Sequence, residues 1–199
     1  PSPTMATECD LCEYWKQLDL TTYLFKMRED AYWHDMDPVF GRRVVSGDVI
    51  KSFQRQLSHG HPNSPLINDI RTMESLDDAN LKITINEPNA DFISNLANGF
   101  SKIVASETMN EGKLNIESIV GSGPWVWDRD VGSPGYYFDA NNNYYEQDLP
   151  YTDRLEIQVI GDPQTRLVAF LTGKIDILEP DINQIEDIHI NYDRVVTLD

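Results

Sequence analysis

The chain has 199 residues, 40% hydrophobic and 10% aromatic, so a substantial core is available and wholesale disorder is excluded. Its 33 acidic against 16 basic residues give a formal charge of −17, which repels phosphate backbones and anionic lipids and argues against nucleic-acid and membrane-surface binding. No apolar run approaches the roughly 18 residues of a membrane-spanning helix, and the opening "PSPTMATECD" has neither the basic nor the apolar region of a signal peptide.

In chain order, Cys9 and Cys12 form a Cys-x-x-Cys in "ECDLCEYW". A local disulfide, plain thiols, and a metal or redox role all remain open. Zinc needs about four ligands, and Glu8, Asp10 and Glu13 oppose the lowered thiol pKa of a redox motif. "LTTYLFKM" (20–27) alternates as a strand, and "REDAYWHDMDP" after it is turn-rich. "SGDVIKSFQRQLSH" predicts an amphipathic helix with Ser46 as N-cap, Asp48 in the first turn, and Val49, Ile50, Phe53 and Leu57 inward. "GHPNSP" (60–65) is a loop. "IRTMESL" and "NLKITIN" read as a hairpin turning at Asp77-Asp78-Ala79.

A short helix follows, capped by Asn89, burying Phe92, Ile93 and Leu96, and stopped by Gly99. "SKIVAS" reads as a brief strand or extended piece, and "ETMNEGKLNIES" as short helix and loop. "WVWD", "GYYFDA" and "RLEIQVI" are strand candidates. Then "GDPQTRLVAFLTGKIDIL" gives a helix with Asp162 as N-cap, Pro163 first, Leu167, Phe170 and Leu171 as the buried stripe and Gly173 as the stop. A strand at "IDIL" would complete a parallel strand–helix–strand crossover.

Gly121-Ser122-Gly123-Pro124 fails each catalytic pattern by spacing. A dinucleotide loop needs glycine at 126, where Val stands, and a Walker loop needs Gly-Lys-Ser/Thr. A nucleophile elbow needs Gly-x-Ser-x-Gly. What survives is a bend. Trp125, Trp127, Asp128 and Asp130 invite comparison with a glycosidase cleft, but alternation puts the two acids on one strand face away from the tryptophans. His34, His59, His61 and His189 lack metal-ligand spacing, and "YWHD" (32–35) reads as a packing cluster. The tyrosines of 135–156 read as strand aromatics beside an Asn-rich turn, with a stacking surface for sugar or peptide as the alternative.

Five segments together carry a resemblance. "YLFKMREDAYWHD" is similar to Y-x-F-x-L-R-x-x-V-x-F-H-D, and "VVSGDVIKSFQR" to a Thr/Ser-x-x-Asp-Val-x-x-Ser-Phe element. "DANLKITINEPNADFISNLAN" resembles a strand, Glu-Pro and helix, and "VGSGPWVW" a Gly-Thr-Gly-Pro-Tyr element. "NNNYYEQDLPYTDRLEIQVIGDPQTRLVAFLTGKIDIL" is similar to Asn-Pro-x-Tyr-Trp…Pro-Tyr-x-Asp…Asp-x-x-Thr-Arg…Gly-x-Ile-Asp. These resemble the extracytoplasmic solute-binding proteins of ABC transporters, family 5, the oligopeptide, dipeptide and nickel type. Cys9 and Cys12 fall outside the pattern.

The resemblance implies a mixed α/β, class II periplasmic-binding-protein-like fold. Residues 1–43 would be a strand segment of the first lobe, 44–118 its inserted subdomain, and 119–199 its continuation, with the second lobe outside this chain. It implies no enzyme, no catalytic residue, no metal and no cofactor. The expected partners are a small solute of peptide type and a membrane permease outside the cytoplasm, in the periplasm or extracellular space. By analogy the ligand-contacting residues are His61, Asn63, Ser64, Pro65, Leu66, Gly121, Ser122, Gly123, Pro124 and Trp125. The family's acid that holds a peptide N-terminus belongs to the second lobe. A carbohydrate-active enzyme using an acid pair, and an interaction module that self-associates through bare apolar faces, are the competing expectations.

Overall fold

The computed structural model describes residues 6–110, 120–128 and 135–191. They form two compact units, residues 1–131 with 137–155, and residues 132–136 with 156–199.

The first unit is built on a four-stranded antiparallel sheet in the order β1-β2-β4-β3. Its strands are β1 (Cys12–Asp19), β2 (Thr22–Met27), β3 (Ile70–Ser75) and β4 (Asn80–Ile85). The alternation in "NLKITI" does what period-2 patterning demands: Leu81, Ile83 and Ile85 are buried, and the residues between them half-buried. Against that face pack Tyr23 and Met27 of β2, Val49 and Phe53 of α1 (Ser46–Gln56), and Phe92 of the short α2 (Phe92–Leu96). Tyr23 and Phe92 meet ring to ring, centroids 4.9 Å apart at 46°. The β3–β4 turn is made by Asp77, whose carboxylate accepts from the Ala79 and Asn80 N–H groups at 2.8 Å each. β2, from the segment expected to belong to the first lobe proper, pairs along its length with β4, from the expected inserted subdomain.

β1 is an addition to the elements read from sequence. Seven of its eight residues are exposed, so "CEYWKQLD" carries no alternation, and pairing with β2 makes it a strand. Two helix caps differ from expectation. Val45, not Ser46, is the N-cap of α1; the Asp48 carboxylate accepts the Val45 N–H at 3.1 Å. Ser46 is buried and instead donates its hydroxyl to Asp77 O at 2.6 Å, docking the hairpin turn onto the helix start. Asp91 caps α2, while Asn89 accepts from the Asp91 N–H at 2.9 Å. That helix ends at Leu96 with Ala97 as its C-cap, before Gly99 is reached. Residues 101–105 form no strand; the Val104 N–H and C=O are engaged by the Ser52 hydroxyl instead. α3 (Ser106–Asn110) follows, and the expected loop over 111–118 lies outside the described residues.

A second sheet, ordered β5-β6-β7, comprises β5 (Trp125–Trp127), β6 (Gly135–Ala140) and β7 (Arg154–Gln158), the three strands expected there. α4 (Pro163–Leu171) matches its predicted start: the Asp162 carboxylate accepts the Thr165 N–H at 2.7 Å and Pro163 is first. Gly173, at φ +70°, ends the helix in the left-handed region that glycine favours. Leu167, Phe170 and Leu171 are half-buried, not buried. "IDIL" is not a strand, and Ile177 is 72% exposed. Alternation alone does not make a strand without a hydrogen-bonded neighbour, so the expected parallel crossover does not form among the described residues. α5 (Ile182–Asn191), which was not anticipated, follows.

Asp48 is the polar centre of the first unit. It is fully buried, and Arg42 grips it bidentately at 2.8 Å while holding Glu107 with 2.5 Å bonds. The Trp33 indole N–H (3.2 Å) and the Ser106 N–H (3.3 Å) donate to the same carboxylate. Burial pushes the Asp48 carboxyl up, but the Arg42 and Val45 hydrogen bonds outweigh it and hold it below the ordinary range. Arg42 hydrogen bonds lower Glu107 to about 2. Both groups are depressed relative to the unfolded chain, so their contribution is present above roughly pH 5 and is lost as pH falls through their folded values. Removing one partner of a buried pair strands the other, so Asp48→Ala is expected to cost about 3 kcal/mol. Glu107→Gln, at a site one-third exposed, should cost less than about 1 kcal/mol. Urea unfolding of both variants at pH 7 checks the ranking.

Candidate ligand-binding site

The Gly121–Pro124 bend is fastened from within by one histidine. The His34 N–H donates to Gly121 O at 2.8 Å, and the Gly121 N–H donates to His34 Nδ1 at 3.3 Å. His34 Nε2 lies 3.0 Å from Gly123 O. Because Nδ1 accepts, Nε2 carries the proton, so the ring is the neutral Nε2–H tautomer. From the other side Asn141, also buried, donates its side-chain amide to Gly123 O at 2.9 Å, and its backbone N–H to Pro124 O at 2.8 Å. Four groups of the bend are thus consumed inward. Among the described residues nothing accepts from the Ser122 or Gly123 N–H, and nothing donates to Ser122 O. Ser122, Gly123 and Trp125 are half-buried. The bend therefore carries two consecutive backbone donors that have no partner among the described residues.

Gly121 sits at a tight approach to His34. A Cβ there would stand 3.1 Å from His34 Cε1, whereas at Gly123 it would meet nothing within 4 Å. His34 is 5% exposed and belongs to the 31–44 loop, which closes on itself through Val44 N–H to Ala31 O and Trp33 N–H to Arg42 O. Its neighbour Trp33 reaches Asp48, so the clasp stands on the buried ion network. "YWHD" is thus more than packing. Spacing in the sequence gives no hint that His34 pairs with a bend 87 residues away; the F-H-D element of the resemblance marks the residue, not its role.

The other expected contact segment folds on itself. The His61 and Asn63 carbonyls accept from the Ser64 and Leu66 N–H groups at 3.2 Å each, in the 3-10 turn Ser64–Leu66. His61 Nδ1 accepts the Asn63 N–H at 3.3 Å, and the Gln56 side chain donates to Asn63 O at 2.8 Å. Pro65 is exposed, and Leu66 packs against the core. Among the described residues no hydrogen bond or ion pair joins 61–66 to 121–125.

An open groove of about 500 Å³ is lined by Asp30, Tyr32, Trp33, Tyr144 and Tyr145 among others. Tyr144 and Tyr145 pack with centroids 4.4 Å apart. Asp128 forms an ion pair with Arg154 at 3.0 Å, and Arg154 also holds Asp139 at 3.3 Å. The expected companion of Asp128, Asp130, lies outside the described residues. Among the described residues no group of three His, Cys, Asp or Glu is placed to hold a metal.

The sequence matches, over residues 2–197, the family described as bacterial extracellular solute-binding proteins, family 5 Middle. The chain belongs to the family 5 bacterial extracellular solute-binding proteins. Among relatives, it is 29% identical over 177 residues to a probable peptide ABC transporter periplasmic-binding protein, y4tO, of Sinorhizobium fredii, covering 80% of this chain and 32% of that protein. It is 30% identical over 165 residues to the nickel-binding periplasmic protein of Escherichia coli K12, covering 80% and 30% respectively. The chain thus spans about a third of the length of these curated relatives. Among solved structures, the periplasmic binding protein AgaA of A. tumefaciens R10, in complex with agropinic acid, superposes with a TM-score of 0.82 at 24% identity. The match covers 92% of this chain and 37% of that one, and it establishes a mixed α/β periplasmic-binding-protein fold for this family 5 chain. Among the described residues no helix is long and apolar enough to cross a membrane.

Two outcomes test the clasp. Gly121→Ala should destabilise by about 1–3 kcal/mol through overpacking, and Gly123→Ala should stay within about 0.5 kcal/mol; thermal unfolding of the two variants separates them. Burial holds the His34 imidazole below its ordinary value, partly offset by its bond to Gly123 O. A folded value below the unfolded one means the unfolded chain binds the proton first, so stability is fully present above roughly pH 6.5 and declines as pH falls towards the folded value. Replacing His34 by Gln should remove that limb and leave the limb below about pH 5 in place.

Proposed function

We propose that this chain is a ligand-binding part of the substrate-binding component of an ABC importer, capturing a peptide-like or other small solute outside the cytoplasm and handing it to a membrane permease. The observation that carries the reading is the pair of N–H groups at Ser122 and Gly123, without partners among the described residues, on a bend that the His34 clasp fixes. Backbone donors on a rigid bend suit the carbonyls of an extended ligand, and Trp125 supplies an apolar wall beside them. Family membership supports the transport role, and the relatives named above are associated with peptide, nickel and agropinic acid. In this reading residues 1–43 and 119–199 belong to the first lobe and 44–118 to its inserted subdomain. Contacts from His61, Asn63, Ser64, Pro65 and Leu66 are a second, separate edge of the ligand surface. Binding energy biases an open–closed equilibrium between lobes, and no covalent chemistry is involved.

Titration of the ¹⁵N-labelled protein with a mixed di- to pentapeptide pool tests the proposal. The Ser122 and Gly123 amide signals are expected to shift, with the Gly121 amide moving less because its proton is already engaged. Saturable peptide binding that leaves both signals in place would sink the assignment of the bend. No binding of any peptide would turn the search to sugars and metal chelates.

A further inference from the structure

Cys9 and Cys12 are bridged by a disulfide, in a part of the chain that the family pattern does not explain. The bridge closes a four-residue loop around Asp10 and Leu11, and three acceptors of this loop are taken up by two residues. Leu11 O accepts the Arg28 N–H at 3.0 Å, and Asp10 O accepts Arg28 Nε at 2.8 Å. The Asp10 carboxylate accepts the hydroxyl of Tyr145, 135 residues away. The Arg28 guanidinium lies over the Tyr145 ring, 4.4 Å from its centroid. Tyr145 in turn packs on Tyr144, and both line the 500 Å³ groove. A continuous chain of contacts therefore runs from the disulfide through Asp10 and Tyr145 to the groove.

We propose that the Cys9–Cys12 disulfide is a redox-set clamp on Tyr145, holding Asp10 against its hydroxyl and releasing the groove's aromatic wall when the loop is opened. The physical reason is entropic. Asp10 is exposed and precedes an edge strand whose own residues are mostly exposed, so burial contributes little to fixing it. Leu11 packs on the core and the Asp10 and Leu11 carbonyls are bonded to Arg28, which fixes the backbone; the bridge further narrows the conformations open to Asp10 between its two sulfurs. The β2–β4 pairing does not involve the bridged loop, so opening the loop loosens Tyr145 without dismantling the sheet. Both sulfurs belong to half-buried residues, within reach of a small dithiol. Dithiothreitol delivers two electrons and two protons. The S–S bond breaks to two thiols, and the reagent closes into its own cyclic disulfide. This inference does not depend on the identity of the solute.

The test uses the full chain with ¹³C-labelled tyrosine rings. Reduction of the wild type and the oxidised Asp10→Ala variant should shift the Tyr145 ring signals in the same direction and to the same extent. Reduced Asp10→Ala should show no further shift, and the amides of His34, Leu81 and Ile83 should stay fixed throughout. Tyr145→Phe assigns the signal. Unmoved Tyr145 signals on reduction would overturn the clamp. So would a reduction shift as large in Asp10→Ala as in wild type, since Asp10 would then not carry it. Global loss of the β4 signals on reduction would overturn it too, because the bridge would then be a staple for the whole unit.

Discussion

The contact on which the candidate site depends is the clasp between a neutral histidine and the backbone of a glycine bend. His34 uses its backbone N–H and both ring nitrogens on Gly121 and Gly123, closing a separation of 87 residues with three hydrogen bonds. Closure over such a length is entropically costly but only weakly sensitive to the length itself. What it requires is a rigid anchor at each end. At one end the 31–44 loop is pinned by its own ladder and by Trp33 on the Asp48–Arg42–Glu107 network. At the other, Asn141 holds Gly123 O and Pro124 O from the start of the tyrosine-rich loop.

The same clasp underlies the binding role proposed for the bend. A buried polar group must be paired, and the inward groups of the bend are. Proline at 124 has no N–H to satisfy, and the two remaining donors, at Ser122 and Gly123, have no partner among the described residues. An electrically neutral, pre-organised donor pair asks little of a ligand beyond a carbonyl or carboxylate oxygen, and preorganisation is where much binding free energy is saved. The protein's charge of −17 acts on top of this at long range, disfavouring polyanions whatever the local geometry.

The readable parts of the sequence were those where a local rule and the tertiary context agree. Leu81, Ile83 and Ile85 alternate and are buried; Asp162-Pro163 opens a helix as its chemistry requires. β1 was illegible because an edge strand exposed on both faces leaves no pattern, and "IDIL" misled because pattern without a pairing partner yields no strand. Ser46 looked like a cap and is a docking residue, since Asp48 already serves the helix start from within its first turn. At the site, the Gly-Ser-Gly-Pro bend and its lack of catalytic spacing were legible. The role of His34 was not, because a contact between residues 34 and 121 has no signature in either segment alone.

Amide hydrogen exchange in the unliganded protein tests the clasp most directly. The Gly121 and His34 amides should be strongly protected, while Ser122 and Gly123, between and beside them, exchange close to the rate of an open chain. Equal protection of all four would mean that the Ser122 and Gly123 donors are already satisfied, and the account of this site would be wrong.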